Sequence, residues 1–131
     1  MISKKDEKTF INDLVNNFPE IKEEVLDEDI ADLLSLQVGC FKRFTQNAID
    51  LNDLITIERC FGFVDENFEQ VIFKIENSLV ISFLGHLDFS KNPKIEKMLS
   101  EKLKKILKAL RLHESQPKDE KLKGFLKGLK D

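Results

Sequence analysis

Apolar residues recurring every three to four positions constrain this chain more than any other feature. Phe10, Ile11, Leu14, Val15 and Phe18 fall on one face at helical spacing and predict an amphipathic helix over residues 4–17. Pro19 ends it and opens the next turn, because proline is tolerated in a first helical turn. Ile21, Val25, Leu26, Ile30, Leu33 and Leu34 carry the 3.6-residue period onward. Gly39 is read as a break, after which Phe41, Phe44, Ala48 and Ile49 resume the stripe. Asp50 and Asn52 are placed to cap a further helix bearing Leu54, Ile55, Ile57, Cys60, Phe61 and Val64. Gly62 and Asp65 mark the corner expected after it.

Residues 67–88 form the most apolar stretch, with Phe68, Val71, Ile72, Ile75, Leu79, Ile81, Phe83, Leu84 and Leu87. Period-two alternation is not sustained there, and no hairpin dipeptide such as Asn-Gly occurs, so a central helix buried nearly all round is expected. Ser90-Lys91-Asn92-Pro93 reads as a helix start, with Asn92 as cap and Pro93 in first position. Ile95, Met98, Leu99, Leu103, Ile106, Leu107 and Leu110 follow as an apolar stripe among lysines. The expected fold is all-α, a compact bundle of five to six helices with its central apolar helix near 67–88. Residues 1–116 read as a single helical domain and 117–131 as a basic amphipathic C-terminal tail. In that tail Leu122, Phe125, Leu126 and Leu129 face one way with lysines opposite, and docking back on the parent core is the favoured reading.

A chain of 131 residues suits one core. It has eleven Phe but neither Tyr nor Trp, which removes any tyrosine acid and the usual aromatic anchors of interfaces. Phe10, Phe18, Phe41, Phe44, Phe61, Phe68 and Phe83 sit on apolar stripes, whereas Phe63, Phe73, Phe89 and Phe125 are expected nearest the surface. Cys40 and Cys60 lie in apolar surroundings without C-x-x-C spacing and read as buried thiols. The longest apolar run, Leu79 to Leu84, is too short to span a bilayer, and stable membrane insertion is not expected. The charged first residues have no apolar segment behind them, so no signal peptide is read and a cytoplasmic location is expected.

Catalytic candidates are few. His86 and Asp88 are two apart, which on a helix separates them, and His113 sits near a helix end. No zinc-protease, nucleophile-elbow or phosphate-loop motif occurs, so no enzyme, cofactor or metal is expected. Charge is more informative. Residues 1–90 carry 8 Lys or Arg against 18 Asp or Glu, while residues 91–131 carry 13 against 6. Glu20, Glu23, Glu24, Asp27, Glu28, Asp29 and Asp32 crowd into thirteen residues opposed only by Lys22. On a helix most of these would share a face and repel one another, and a basic protein partner would relieve that repulsion. These seven residues are the expected partner-binding set, and nucleic acid is excluded as a partner by like charge. The alternative is a self-associating scaffold, in which the basic end of one copy meets the acidic run of another.

Three elements carry a resemblance: Phe41-Lys42-Arg43-Phe44, Phe61-Gly62-Phe63-Val64-Asp65-Glu66, and Glu76-Asn77-Ser78-Leu79-Val80-Ile81-Ser82-Phe83-Leu84. Over residues 10–112 the chain resembles a family of small bacterial all-helical proteins of unknown function. That family has F-x-R-F, F-x-F-[IV]-x-E and N-x-[ILV]-x-[IV]-S-F-L-E-x-L elements in the same order. Gly85 stands where that pattern has its acid. The resemblance implies a shared packing scheme rather than a reaction. Within it, Ser82 is expected to bond the carbonyl one turn back, leaving Asn77 and Ser82 as satisfied helix contacts. In size and general look the family is similar to immunity proteins of bacterial toxin systems. The expected function is therefore a non-enzymatic protein-binding module that neutralises a basic toxin through its acidic face.

Overall fold

Asp6 starts the first helix. Its Oδ1 accepts from the Thr9 amide at 2.9 Å and caps α1, Glu7–Asn17, three residues later than periodicity alone predicts. The structure, a computed structural model, describes residues 3–114. The tail 117–131, Phe125 within it and the side chain of His113 lie outside the described residues. α1 buries Phe10, Ile11, Leu14 and Val15, the stripe expected of it.

Pro19 opens a single 3-10 turn, Pro19–Ile21, which runs into the four-residue α2, Lys22–Val25. The 3.6-residue pattern predicted to continue to Leu34 fails here. The chain leaves the helix at Leu26 and turns through residues 26–33. Asp27 Oδ1 accepts from the Asp29 amide at 2.8 Å, and Asp32 adopts a left-handed φ of 66°. The physical reason is the acidic run itself. Like charges weaken a helix, and Asp side chains offer the backbone turn hydrogen bonds instead. Gln37, reaching from the next helix, donates to the Val25 carbonyl at 3.1 Å and satisfies the end of α2.

α3, Leu34–Asp50, passes straight through Gly39, because one mid-helix glycine costs only about 1 kcal/mol against a full apolar stripe. It ends with the Asp53 amide bonded to the Ala48 carbonyl (2.9 Å) and the Asn52 amide to Ile49 (3.1 Å), Asn52 lying at φ 56°. Asp53 then caps α4, Leu54–Asn67, by accepting from the Thr56 amide at 3.2 Å. Asn52 and Asp53 therefore make the corner expected of Asp50 and Asn52. Gly62 lies within α4, and the next corner falls after Asn67.

The central apolar helix begins only at Phe73. Before it, Lys5 and Val71 form a parallel bridge, with Lys5 donating to the Gln70 carbonyl (2.7 Å) and Ile72 to the Lys5 carbonyl (3.0 Å). Extended pairing suits the β-branched pair Val71-Ile72 better than a helix would. α5, Phe73–Ser78, then widens into a π turn, Leu79–Phe83, and closes with a 3-10 turn, Leu84–His86. The wide turn keeps Leu79, Val80, Phe83 and Leu84 all in the core. The helix expected from Pro93 is likewise divided, into a 3-10 segment, Pro93–Met98, and α6, Glu101–Glu114. Leu99 between them is extended, and Asn92 donates to the Ile49 carbonyl at 2.8 Å instead of capping. Ser100 caps α6: its Oγ accepts from the Leu103 amide (3.2 Å) and donates to Asp65 Oδ1 (2.7 Å).

The architecture is all-α, with six α segments and no strand among the described residues. α3 is the hub on which α2, α4, α5 and the π turn pack. Its Phe41 stacks on Phe83 (centroids 4.8 Å apart) and meets Phe18 (4.9 Å) and Phe63 (5.7 Å). Phe63 also meets Phe10 and Phe18, so a ring expected near the surface is central. Phe89, likewise expected outside, is buried beside Phe61. Phe61 and Phe63 project from α4 roughly 200° apart and are both covered because α4 is packed on two sides. No described helix is long and apolar enough to cross a membrane.

Candidate functional site: the acidic segment and the outer face of α4

The chain has three arginines, and each pairs with a glutamate on another element. Arg43 on α3 pairs with Glu24 on α2. Arg59 on α4 bonds Glu20 at 3.0 Å and the Asn17 carbonyl at 2.9 Å, with its guanidinium 5.1 Å from the Phe18 ring centre. These planar forks tie the 19–25 segment to the helices beneath it. The hydrogen bond from Arg59 holds the Glu20 carboxyl below the usual carboxylate range, and that from Arg43 does the same for Glu24. Two of the seven predicted partner-binding residues are thus fasteners within the fold.

Glu23, Asp27, Glu28, Asp29 and Asp32 remain. All five side chains are exposed and none forms an ion pair among the described residues. They do not share one helix face, as expected from the sequence, because α2 ends at Val25. What sequence reasoning missed is the apolar surface among them. Leu26, Leu33 and Leu36 are 44%, 50% and 52% exposed. Reading Leu26 and Leu33 as members of a continuing helix stripe put them in the core, whereas the turn swings them outward. A hollow of about 460 Å³ beside Leu26 is lined by Leu26, Ala31, Asp32 and Gln37, with Lys8 and Ile11 from α1.

The remaining candidates are structural. His86 is exposed, and Asp88 accepts from the Ser90 amide at 2.8 Å. No cluster of three metal-ligating side chains exists among the described residues. Cys40 and Cys60 are free and buried, as expected, and burial pushes each thiol up to about 11. Ser82 is half-buried and lacks the predicted bond to the preceding turn. Among the described residues it is Ser78 whose hydroxyl is buried without a hydrogen-bond partner.

The recurring motifs turn out to be packing devices. Phe41, Phe61, Phe63, Val64, Leu79, Phe83 and Leu84 are core, and Arg43 is the α2–α3 fastener. Residues 11–114 match a family described as a domain of unknown function, DUF7674. The chain belongs to this family. No curated protein and no solved structure matches it. The DUF7674 segment runs from within α1 to the end of α6 and so takes in both the acidic segment and α4. At Gly85 a Cβ would lie 2.7 Å from Leu110 Cδ2 and 3.2 Å from the Val80 carbonyl oxygen. In this chain α6 therefore occupies the space that an acidic side chain would need at that position.

Proposed function

We propose that this chain is a non-enzymatic, cytoplasmic protein-binding module whose acidic segment receives a basic partner, as an immunity protein receives a bacterial toxin. The observation that carries this reading is the combination on residues 23–36. Three exposed leucines sit among five carboxylates that pair with no cation among the described residues. Interfaces of this kind place apolar contacts at the centre and charge at the rim, where charge steers encounter and sets specificity. A partner that binds phosphate would be basic and would accept the carboxylates as phosphate mimics. The absence of Tyr and Trp leaves leucine and charge to do the anchoring.

The test is isolation of the partner with the tagged chain from its native organism, followed by Glu23→Lys, Glu28→Lys and Asp29→Lys together. Glu20 and Glu24 are left intact so that the fold keeps its arginine fasteners. Binding should weaken with salt and fall roughly tenfold or more in the triple variant. Equal binding by the variant, or no bound protein at all, overturns the reading. The charge division between residues 1–90 and 91–131 favours a second reading, a scaffold in which α6 of one copy meets the acidic segment of the next. Light scattering across concentration at low and high salt decides between them, since a persistent monomer disposes of the scaffold.

A further inference from the structure

Gly62 is an unexplained residue. It stands in the middle of α4, on the exposed side, where glycine costs about 1 kcal/mol relative to alanine. Its φ is not positive, and a Cβ built on it would meet nothing within 4 Å. Packing among the described residues therefore gives no reason for a glycine there. Close approach of another segment would. The surface around it has the shape for that. A hollow of about 450 Å³ runs along α4 past Ile55, Glu58, Gly62 and Glu66, floored by Phe18 and Phe63. A smaller one of about 190 Å³ continues on the other side of Gly62 to Met98 and Ser100. Ile55 is 77% exposed, and Glu58 and Glu66 are exposed carboxylates without an ion pair among the described residues.

We propose that the occupant of this α4 hollow is residues 121–130 of the same chain. That segment carries Lys121, Lys123, Lys127 and Lys130 with no acid, and Leu122, Phe125, Leu126 and Leu129 at i, i+3, i+4 and i+7. Its charge complements Glu58 and Glu66, Arg59 in the same lining being taken up by Glu20, and its apolar residues match Ile55. The hollow beside α6 is lined by Glu96, Lys104, Lys108 and Arg111; Glu96 is taken up by Arg111, which leaves no free carboxylate there to receive the lysines. Reach is sufficient. Ser100, at the start of α6, borders the same small hollow as Gly62, and the fourteen residues of α6 carry the chain about 21 Å away. From Glu114 to Phe125 an extended chain returns up to about 36 Å. The inference is independent of the acidic-segment reading and concerns a different face.

The full chain tests it by disulfide trapping, with Cys40 and Cys60 buried and slow to react. Gly62→Cys with Gly124→Cys should close within one molecule roughly tenfold or more faster than Ser35→Cys with Gly124→Cys. High salt, or Glu58→Gln with Glu66→Gln, should slow it. Equal rates for the two pairs, or a disulfide formed only between two molecules, overturns the proposal; the second result would assign the hollow to another copy. Gly62→Leu supplies a check free of oxidation, since nothing in the described fold opposes a side chain there. It should retain the helical signal while amide exchange across residues 121–130 accelerates. Unchanged exchange there in Gly62→Leu would equally overturn it.

Discussion

At the residue scale, two glycines with opposite surroundings make opposite predictions. A Cβ at Gly62 meets nothing among the described residues, so in high salt, where the 121–130 segment is released, Gly62→Ala should raise stability by about 0.5–1 kcal/mol, read as a higher urea midpoint. A Cβ at Gly85 meets Leu110 and the Val80 carbonyl, so Gly85→Glu should lower stability by about 1–3 kcal/mol through displacement of α6. The cysteines give a chemical readout. With thiols pushed up to about 11 by burial, both remain protonated at neutral pH and should resist alkylation in the native protein. Both should label promptly in denaturant, and a fast-reacting native thiol would contradict their placement. The burial of Cys40 and Cys60 was legible from their apolar neighbours. The room around Gly62 and Gly85 was not, because it depends on what another helix brings to the position.

At the scale of elements, caps and cross-links decide where helices begin and how they are joined. Ser100→Ala removes the α6 cap and its bond to Asp65, and should cost about 1 kcal/mol in thermal or urea unfolding. The arginine fasteners add a pH dependence. Glu20 and Glu24 have lowered carboxyl pKa values in the folded chain, so their contribution is complete above the unfolded glutamate value of about 4.3. It is lost as pH falls through the folded values. Being exposed, each pair is worth at most about 1 kcal/mol. A chain carrying Arg43→Gln and Arg59→Gln should therefore be less stable near neutrality, with the gap to the parent narrowing below about pH 4. A gap that stays constant into acid would show that packing over Phe18, not charge pairing, is what Arg59 supplies. Helix existence was legible here from apolar spacing, as was the end of α1 before Pro19, whereas the other helix ends were largely not. Asp6, Asp53 and Ser100 act as caps only because a specific amide three residues on is left without a partner.

At the scale of the whole molecule, stability rests on the aromatic cluster through which α3 holds α1, α4 and the π turn. Phe41→Ala should cost about 3–5 kcal/mol, a large share of a small domain's total, and shift the urea midpoint accordingly. The amino-acid sequence by itself determined the all-α class, the buried stripes and the presence of an acidic segment. Those follow from local periodicity and from charge counted along the chain. Only the tertiary structure decided what the stripes and charges do. It turned Leu26 and Leu33 outward, took Glu20 and Glu24 into pairs with arginines up to 39 residues away, and moved Phe63 to the centre. A 3.6-residue period states which side of a helix is apolar. It does not state where repulsion among carboxylates will end that helix, or which distant side chain will neutralise one of them.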